Sequence, residues 1–410
     1  MSVLNPERNR LGRVLSAKSG APGAFAMLRH WRLIVILFTF GVSLLFIITA
    51  LLTGNGFWDF RVYQVGVAAV LENGTPYDPT RFFPFTYPPL VALFLAKLAW
   101  FFTAPAGLAL LLAVHTICFI AVPFLVMPAS ARKQPIEFLW LFGVFLVAFS
   151  FAGAKTFASG NFAAAMTLAI LSSLLYGVRS RNYWPFWAVL VLLSQVKIYL
   201  FCFALVPFLL ERMFWTPVLM GLATLALYSL NFFIEPGLWQ DYLATVKVIS
   251  HLPGHIGVTP MAGAVIALNE IHSLGDRSFT AIVLAVHAVF AASVIAFSVS
   301  VMWGRARPAD GYEIIGWVIM AALLISPRLV EYDVAIMTIP FVFLLRRLVN
   351  EQGPALWVVL GGVFFATGLV RTPLSDMAGF VVLAAVWLAT GVSWLMSAPI
   401  AQAVPQKNAA

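Results

Sequence analysis

The sequence contains very little charge. Only 10% of its 410 residues are Asp, Glu, Lys or Arg, whereas 62% are hydrophobic. A soluble chain carries about 25% charged residues, so these few cannot cover a surface that faces water. The apolar runs are also continuous and long, unlike the short alternating strands of a membrane β-barrel. The composition therefore predicts an all-α polytopic membrane protein.

Sequence motifs of several other protein classes are missing. The two cysteines, Cys118 and Cys202, lie inside apolar runs and form no disulfide framework. No nucleotide-binding glycine loop, nucleophile elbow or HExxH motif occurs in a suitable context, which gives no support to ATP-driven transport or hydrolysis. Asp59 stands in WDFRV, not in a DxD pair. We expect neither a metal ion nor another cofactor.

The net charge of +9 indicates topology, not nucleic-acid binding, because the basic residues cluster between apolar runs. Residues 1–32 are predicted to form a basic cytoplasmic tail, followed by a first membrane helix from residue 33. If residues 88–104 lie along the membrane surface, the later basic clusters all fall inside. These are Arg132/Lys133, Arg179/Arg181, Arg212, Arg305/Arg307 and Arg346/Arg347.

This topology predicts one membrane domain, residues 33–398, with about 11–13 spanning helices. Its large outer segments are 54–104 and 235–278, and residues 399–410 form a second cytoplasmic tail. Because the unusual polar residues gather in the outer segments, we expect the chemistry on the outer face.

Asp59 is the first candidate catalytic residue. It opens a helix-like stretch just after the first membrane helix. An acid at this position can simply cap the helix and complement its dipole. At the mouth of a membrane cavity it can instead act as a general base on a hydroxyl.

Lys197 and Arg328 are candidate phosphate ligands. Lys197 lies between two strongly apolar runs, where a lysine is costly unless it is paired, faces water or reaches the interface. Arg328 has an ordinary alternative, an ion pair with Glu331 or Asp333. His251 and His255 are four residues apart, but Pro253-Gly254 between them interrupts a helix. They are therefore predicted to contact an acceptor, not a metal.

Ordered motifs along the chain resemble glycosyltransferase family 87. They read DFRVYQVGVAAVLENGTPYDP, FTYPPL, SGNF, QVKIY and SPRLVEY. The resemblance implies a GT-C-type helical bundle whose first outer loop carries surface-lying helices. It also implies that Asp59 is the general base and that Lys197 or Arg328 holds the donor phosphate. Within these motifs the expected substrate-lining residues are Tyr63, Tyr87, Asn161, Gln195 and Glu331.

The resemblance further implies the reaction. A hexose, mannose by analogy, would pass from a polyprenyl-phosphate sugar to an envelope glycolipid or glycan, with inversion at the anomeric carbon. The partners would be these two substrates and membrane lipid, without nucleic acid, at the outer face of the plasma membrane. The alternative is a lipid or sugar transporter or flippase. It is disfavoured because no internal repeat is evident and the polar residues gather at one face.

Overall fold

The computed structural model describes residues 22–81, 83–249, 257–269, 276–304, 311–366 and 373–396. Nearly all of these residues are helical, and no strand occurs among them apart from one isolated bridge between Gly257 and Leu329. The prediction of an all-α polytopic membrane protein is thus confirmed.

The first half of the chain forms nine helices in the described residues. They are α1 (Pro22–Leu52), α2 (Trp58–Leu71), α3 (Pro89–Lys97), α4 (Ala99–Thr103), α5 (Pro105–Val126), α6 (Ala129–Arg132), α7 (Pro135–Ser159), α8 (Ala163–Ser180) and α9 (Trp184–Val196).

The second half begins with a 3₁₀ segment, Ile198–Ala204. It continues with α10 (Leu205–Glu211), α11 (Trp215–Ile234), α12 (Pro236–Ile249), α13 (Pro260–Asn269), α14 (Asp276–Trp303) and α15 (Gly311–Leu324). The last elements are α16 (Glu331–Val334), a 3₁₀ turn at Ala335–Met337, α17 (Thr338–Gln352), α18 (Pro354–Ala366) and α19 (Pro373–Met396).

Six of the described helices, α1, α5, α8, α11, α14 and α19, are long and apolar enough to cross a membrane. Helix α7 makes a seventh if its two parts, Pro135–Phe149 and Phe151–Ser159, form one span despite an 82° bend between them. Four shorter apolar helices also occur, among them α9 and α13. A perpendicular span needs about 20 residues, so these four cannot cross alone.

The helices pack around an aromatic core. Trp317 is fully buried, stacks on Trp387 at 5.1 Å between ring centroids, and donates a hydrogen bond to its carbonyl oxygen. By contrast, Phe38 and Trp215 are more than two-thirds exposed. Large exposed apolar side chains on spanning helices are expected where lipid is the solvent.

The first outer loop forms a second, smaller core. It brings together Phe60, Tyr63, Tyr77, Phe85 and Tyr87. Helices α3 and α4, which occupy the segment predicted to lie along the membrane surface, have 9 and 5 residues and are too short to span. The backbone N–H of Leu90 donates to Asn231 Oδ1 at 2.9 Å, which fastens α3 to the end of α11.

Basic residues and candidate site residues lie at opposite ends of the same helices. Helix α7 begins just after Lys133 and ends at Ser159, and α8 returns from Ala163 to Arg179 and Ser180. At the basic end, Arg347 pairs with Glu313 at 2.6 Å and Glu351 at 2.8 Å. The end of the bundle that carries Ser159 and Ala163 also carries a large cavity.

Candidate active site

The cavity has a volume of about 1830 Å³. Its polar side chains include Asp59, Asn161, Lys197 and Arg328, which come from four separate parts of the chain. Its remaining wall is largely aromatic and aliphatic. A concave site with a few convergent polar groups is the usual form of a ligand-binding site.

Asp59 is positioned by the abrupt start of α2. Phe57 adopts the left-handed conformation (φ 55°), and its N–H donates to Ala158 O at the end of α7 at 2.6 Å. No side chain caps this helix start. The Asp59 carboxylate therefore does not take the capping role. It accepts a hydrogen bond from Asn161 Nδ2 at 3.0 Å.

Asn161 connects the acid to the lysine. Its Oδ1 accepts from Ala163 N at 2.8 Å and from Lys197 Nζ at 3.2 Å. Both neighbours are donors, so Nδ2 is left to face the Asp59 carboxylate. Asn161 is 1% exposed, and the hydrogen bond from Ala163 holds its side chain at the start of α8.

Gly160 makes the sharp turn that presents Asn161. It has φ +66° and ends α7 in the left-handed conformation. A Cβ here would lie 2.8 Å from Phe57 Cδ1. Only glycine satisfies both the dihedral angle and the close approach without strain.

Lys197 lies at the break between α9 and the 3₁₀ segment, and it is 7% exposed. Its ammonium is 3.9 Å from Asp333 Oδ1 and 5.1 Å from the centre of the Tyr332 ring. Tyr199 donates to the other Asp333 oxygen at 3.4 Å. A buried lysine needs such compensation, because an isolated charge in an apolar setting is costly.

Arg328 lies in a short extended segment after α15. The neighbouring Leu329 is buried, and its carbonyl accepts from Val258 N at 2.9 Å. The Arg328 carbonyl accepts from Ser326 Oγ at 2.5 Å. Among the described residues, its buried Nε has no hydrogen-bond partner, while the side chain lines the cavity.

Burial raises the pKa of the Asp59 carboxyl above its ordinary value. The hydrogen bond from Asn161 opposes this rise, as do the charges of Lys197 and Arg328. Asp59 is therefore a carboxylate whose basicity is increased by its surroundings, as proton abstraction requires.

The other expected site residues are placed differently. Tyr87 lines the cavity, whereas Tyr63 is 1% exposed, lies behind Tyr87 and shares a 2.8 Å hydrogen bond with its hydroxyl. Gln195 does not line the cavity; its Nε2 donates to Val191 O and Thr224 O. Glu331 begins α16, and its side chain is not described.

His251 and His255 lie outside the described residues. Within the described ranges, no three His, Cys, Asp or Glu side chains come close enough to hold a metal ion. Sequence reasoning missed Asp333 as the partner of Lys197, and it missed Tyr199 and Tyr332 beside it. Their proximity to SPRLVEY was the available signal, but the same acid was considered there only as a partner of Arg328.

Comparison with known proteins gives one match. The model of glycosyltransferase family 87 matches residues 85–327, more than half of the chain. This range includes Asn161 and Lys197, whereas Asp59, Arg328 and Asp333 lie outside it. No curated protein and no solved structure matches the chain.

Proposed function

The chain belongs to glycosyltransferase family 87 and is a membrane glycosyltransferase, and we propose that it transfers mannose from a polyprenyl-phosphate sugar to an envelope acceptor with inversion. The observation that carries the proposal is the Asp59–Asn161–Lys197 chain, with contacts of 3.0 and 3.2 Å, at the wall of a cavity that reaches the lipid-facing helices. It places a base and a cation on either side of one amide, as attack and departure at a sugar carbon require.

The donor phosphate binds Lys197 and Arg328. The Lys197 ammonium has three donor hydrogens, of which Asn161 takes one. Arg328 contributes a buried Nε with no partner among the described residues. A phosphate oxygen would satisfy both, and charge-assisted bonds of this kind are the strong ones.

The polyprenyl chain leaves the site past Ile198. This residue follows Lys197 directly, lines the cavity and is 40% exposed. Val246 and Ile249 of α12 continue the same apolar wall. The donor can therefore bind while its chain stays in the membrane.

In the reaction, Asp59 takes the proton of the acceptor hydroxyl as that oxygen attacks C1 of the sugar. The bond from C1 to the phosphate oxygen breaks, and the polyprenyl phosphate leaves with its added negative charge. Lys197 and Arg328 stabilise that charge. The basic clusters at the far end of the bundle place this reaction on the outer face.

The test compares the wild type, Asp59→Asn and Asp78→Asn in detergent, with radiolabelled polyprenyl-phosphate mannose and a membrane lipid extract. Asp78 is a matched control, since it lies in the same outer loop and pairs with Arg81 at 3.1 Å. We expect Asp59→Asn to lose 10²- to 10⁴-fold in rate, roughly the contribution of a general base, while Asp78→Asn stays active.

Thermal melting confirms that both variants fold. Equal transfer by Asp59→Asn and the wild type would contradict the base assignment. Transfer from other polyprenyl-phosphate hexoses, with none from the mannose donor, would contradict the choice of sugar.

A further inference from the structure

The cavity extends away from the polar residues along one face of α1. We call this face the α1 stripe; it consists of Val42, Leu45, Phe46, Thr49, Ala50 and Thr53. Its members are three or four positions apart, which places them on one side of a helix. Residues 42 to 53 cover about 16 Å at 1.5 Å per residue. One leaflet of a bilayer has a hydrocarbon depth of about 15 Å.

Helix α7 forms the other side of this groove. It runs parallel to α1: Phe40 packs on Phe142, Phe46 stacks on Phe151 at 5.9 Å, and Phe57 bonds to Ala158. The bend of α7 lies within this contact, where Phe149 and Phe151 both have positive φ. Beyond the bend, Phe151 and Lys155 are one turn apart, and both line the cavity.

Cations stand where the groove meets the polar site. Lys155 lies on α7 about one turn above the Phe46–Phe151 contact, and Arg61 lies on α2 one turn or less from Asp59. Both line the cavity together with the α1 stripe. An apolar groove one leaflet deep, with positive charges at its head, is complementary to a lipid that has an anionic headgroup.

The groove differs from the route assigned to the donor. That route passes Ile198, Val246 and Ile249 next to Lys197, whereas the α1 stripe lies with Asn55 and Trp58 on the side of Asp59. Inversion needs the acceptor hydroxyl opposite the leaving phosphate, which is the side of the base. Leu45 is 65% exposed, so a lipid can enter the groove from the membrane.

We propose, on the basis of the function given above, that the acceptor is a membrane lipid with an anionic headgroup. Its acyl chain lies between the α1 stripe and Phe151, and Lys155 and Arg61 bind its charge. Its hydroxyl then reaches Asp59 from the acceptor side of the cavity.

Photolabelling tests this binding without catalysis. The full chain is placed in phosphatidylcholine nanodiscs that contain phosphatidylglycerol with a diazirine in one acyl chain, and the labelled residues are mapped by mass spectrometry. We expect label on the α1 stripe and Phe151. The double substitution Arg61→Gln/Lys155→Gln should lower it about tenfold.

Two tryptophan substitutions give a matched pair. Leu45→Trp fills the groove and should abolish stripe labelling. Leu44→Trp, at an exposed neighbour that does not line the cavity, should leave it unchanged. Label distributed equally around α1, or equal labelling by a phosphatidylcholine diazirine probe, would overturn the proposal.

Excess polyprenyl phosphate distinguishes the two grooves. It should not displace the label from the α1 stripe. Displacement would assign the stripe to the donor chain and overturn the acceptor assignment, while the proposed glycosyltransfer would still stand. Failure of the transfer assay with normal stripe labelling would instead contradict the proposed donor chemistry.

Discussion

The side-chain amide of Asn161 donates a 3.0 Å hydrogen bond to the carboxylate of Asp59, although the two residues are 102 positions apart. The bond favours the ionised form of Asp59, whereas burial favours the neutral form. The asparagine therefore sets the pH range in which Asp59 can accept a proton, as well as its position.

Asn161→Ala should move the acid limb of the pH–rate profile to higher pH. A base works only when ionised, so activity falls as pH drops through its pKa. Burial raises the Asp59 pKa already, and removal of the hydrogen bond removes an opposing effect. At neutral pH we expect a loss of roughly 10- to 100-fold, because the carboxylate is also less well positioned.

The measurement is kcat/KM against pH for the wild type, Asn161→Ala and Asn55→Ala. Asn55 lines the same cavity but makes no hydrogen bond to Asp59 within the described chain. Its substitution should leave the acid limb in place. An unchanged limb in Asn161→Ala would mean that the amide does not act through Asp59.

Gly160→Ala should lower both stability and activity. A left-handed conformation costs a residue with a side chain about 1–3 kcal/mol, and the new Cβ would meet Phe57 at 2.8 Å. The strain falls on the turn that presents Asn161 to Asp59. Thermal melting and the transfer assay measure the two effects.

Gly41→Ala is the control for that substitution. Gly41 lies inside α1, and an added Cβ would have nothing within 4 Å. Ala in place of Gly in a helix interior stabilises by roughly 0.5–1 kcal/mol. If the two variants melt at the same temperature, the turn at Gly160 is not strained by a side chain.

The sequence was informative where a residue's cost is local. Lys197 stands out because a lysine inside an apolar run needs a reason, and Asp59 because it opens a helix after a membrane span. The Lys197–Asp333 pair depends on tertiary packing, since the two residues are 136 positions apart. The bend of α7 between Phe149 and Phe151 contains neither Pro nor Gly, so no local pattern predicts it.

Arg328→Gln should weaken donor binding without destabilising the fold. The buried Nε has no hydrogen-bond partner in the described chain, so its removal breaks no internal bond there. Loss of a charge-assisted contact to the donor phosphate should raise the donor KM roughly 10- to 100-fold. Arg346→Gln, at an exposed position near the other end of the bundle, should leave KM unchanged. A lower melting temperature with an unchanged KM would make Arg328 a structural residue.

Lys197→Met should abolish transfer and destabilise the protein. It leaves the Asp333 carboxylate, 8% exposed, without the cation now 3.9 Å away. Breaking a buried ion pair from one side costs about 3–5 kcal/mol, because the remaining charge is uncompensated. The melting temperature should fall accordingly.

Stability and catalysis can be separated by a second substitution. Asp333→Asn removes the uncompensated charge and still offers Tyr199 an acceptor in place of the carboxylate oxygen that it now contacts at 3.4 Å. The double variant Lys197→Met/Asp333→Asn should therefore recover most of the lost melting temperature. Transfer should stay absent, since neither substitution restores a cation for the leaving phosphate. If transfer returned together with stability, Lys197 would serve only to compensate Asp333, and the donor phosphate would have to rely on Arg328 alone.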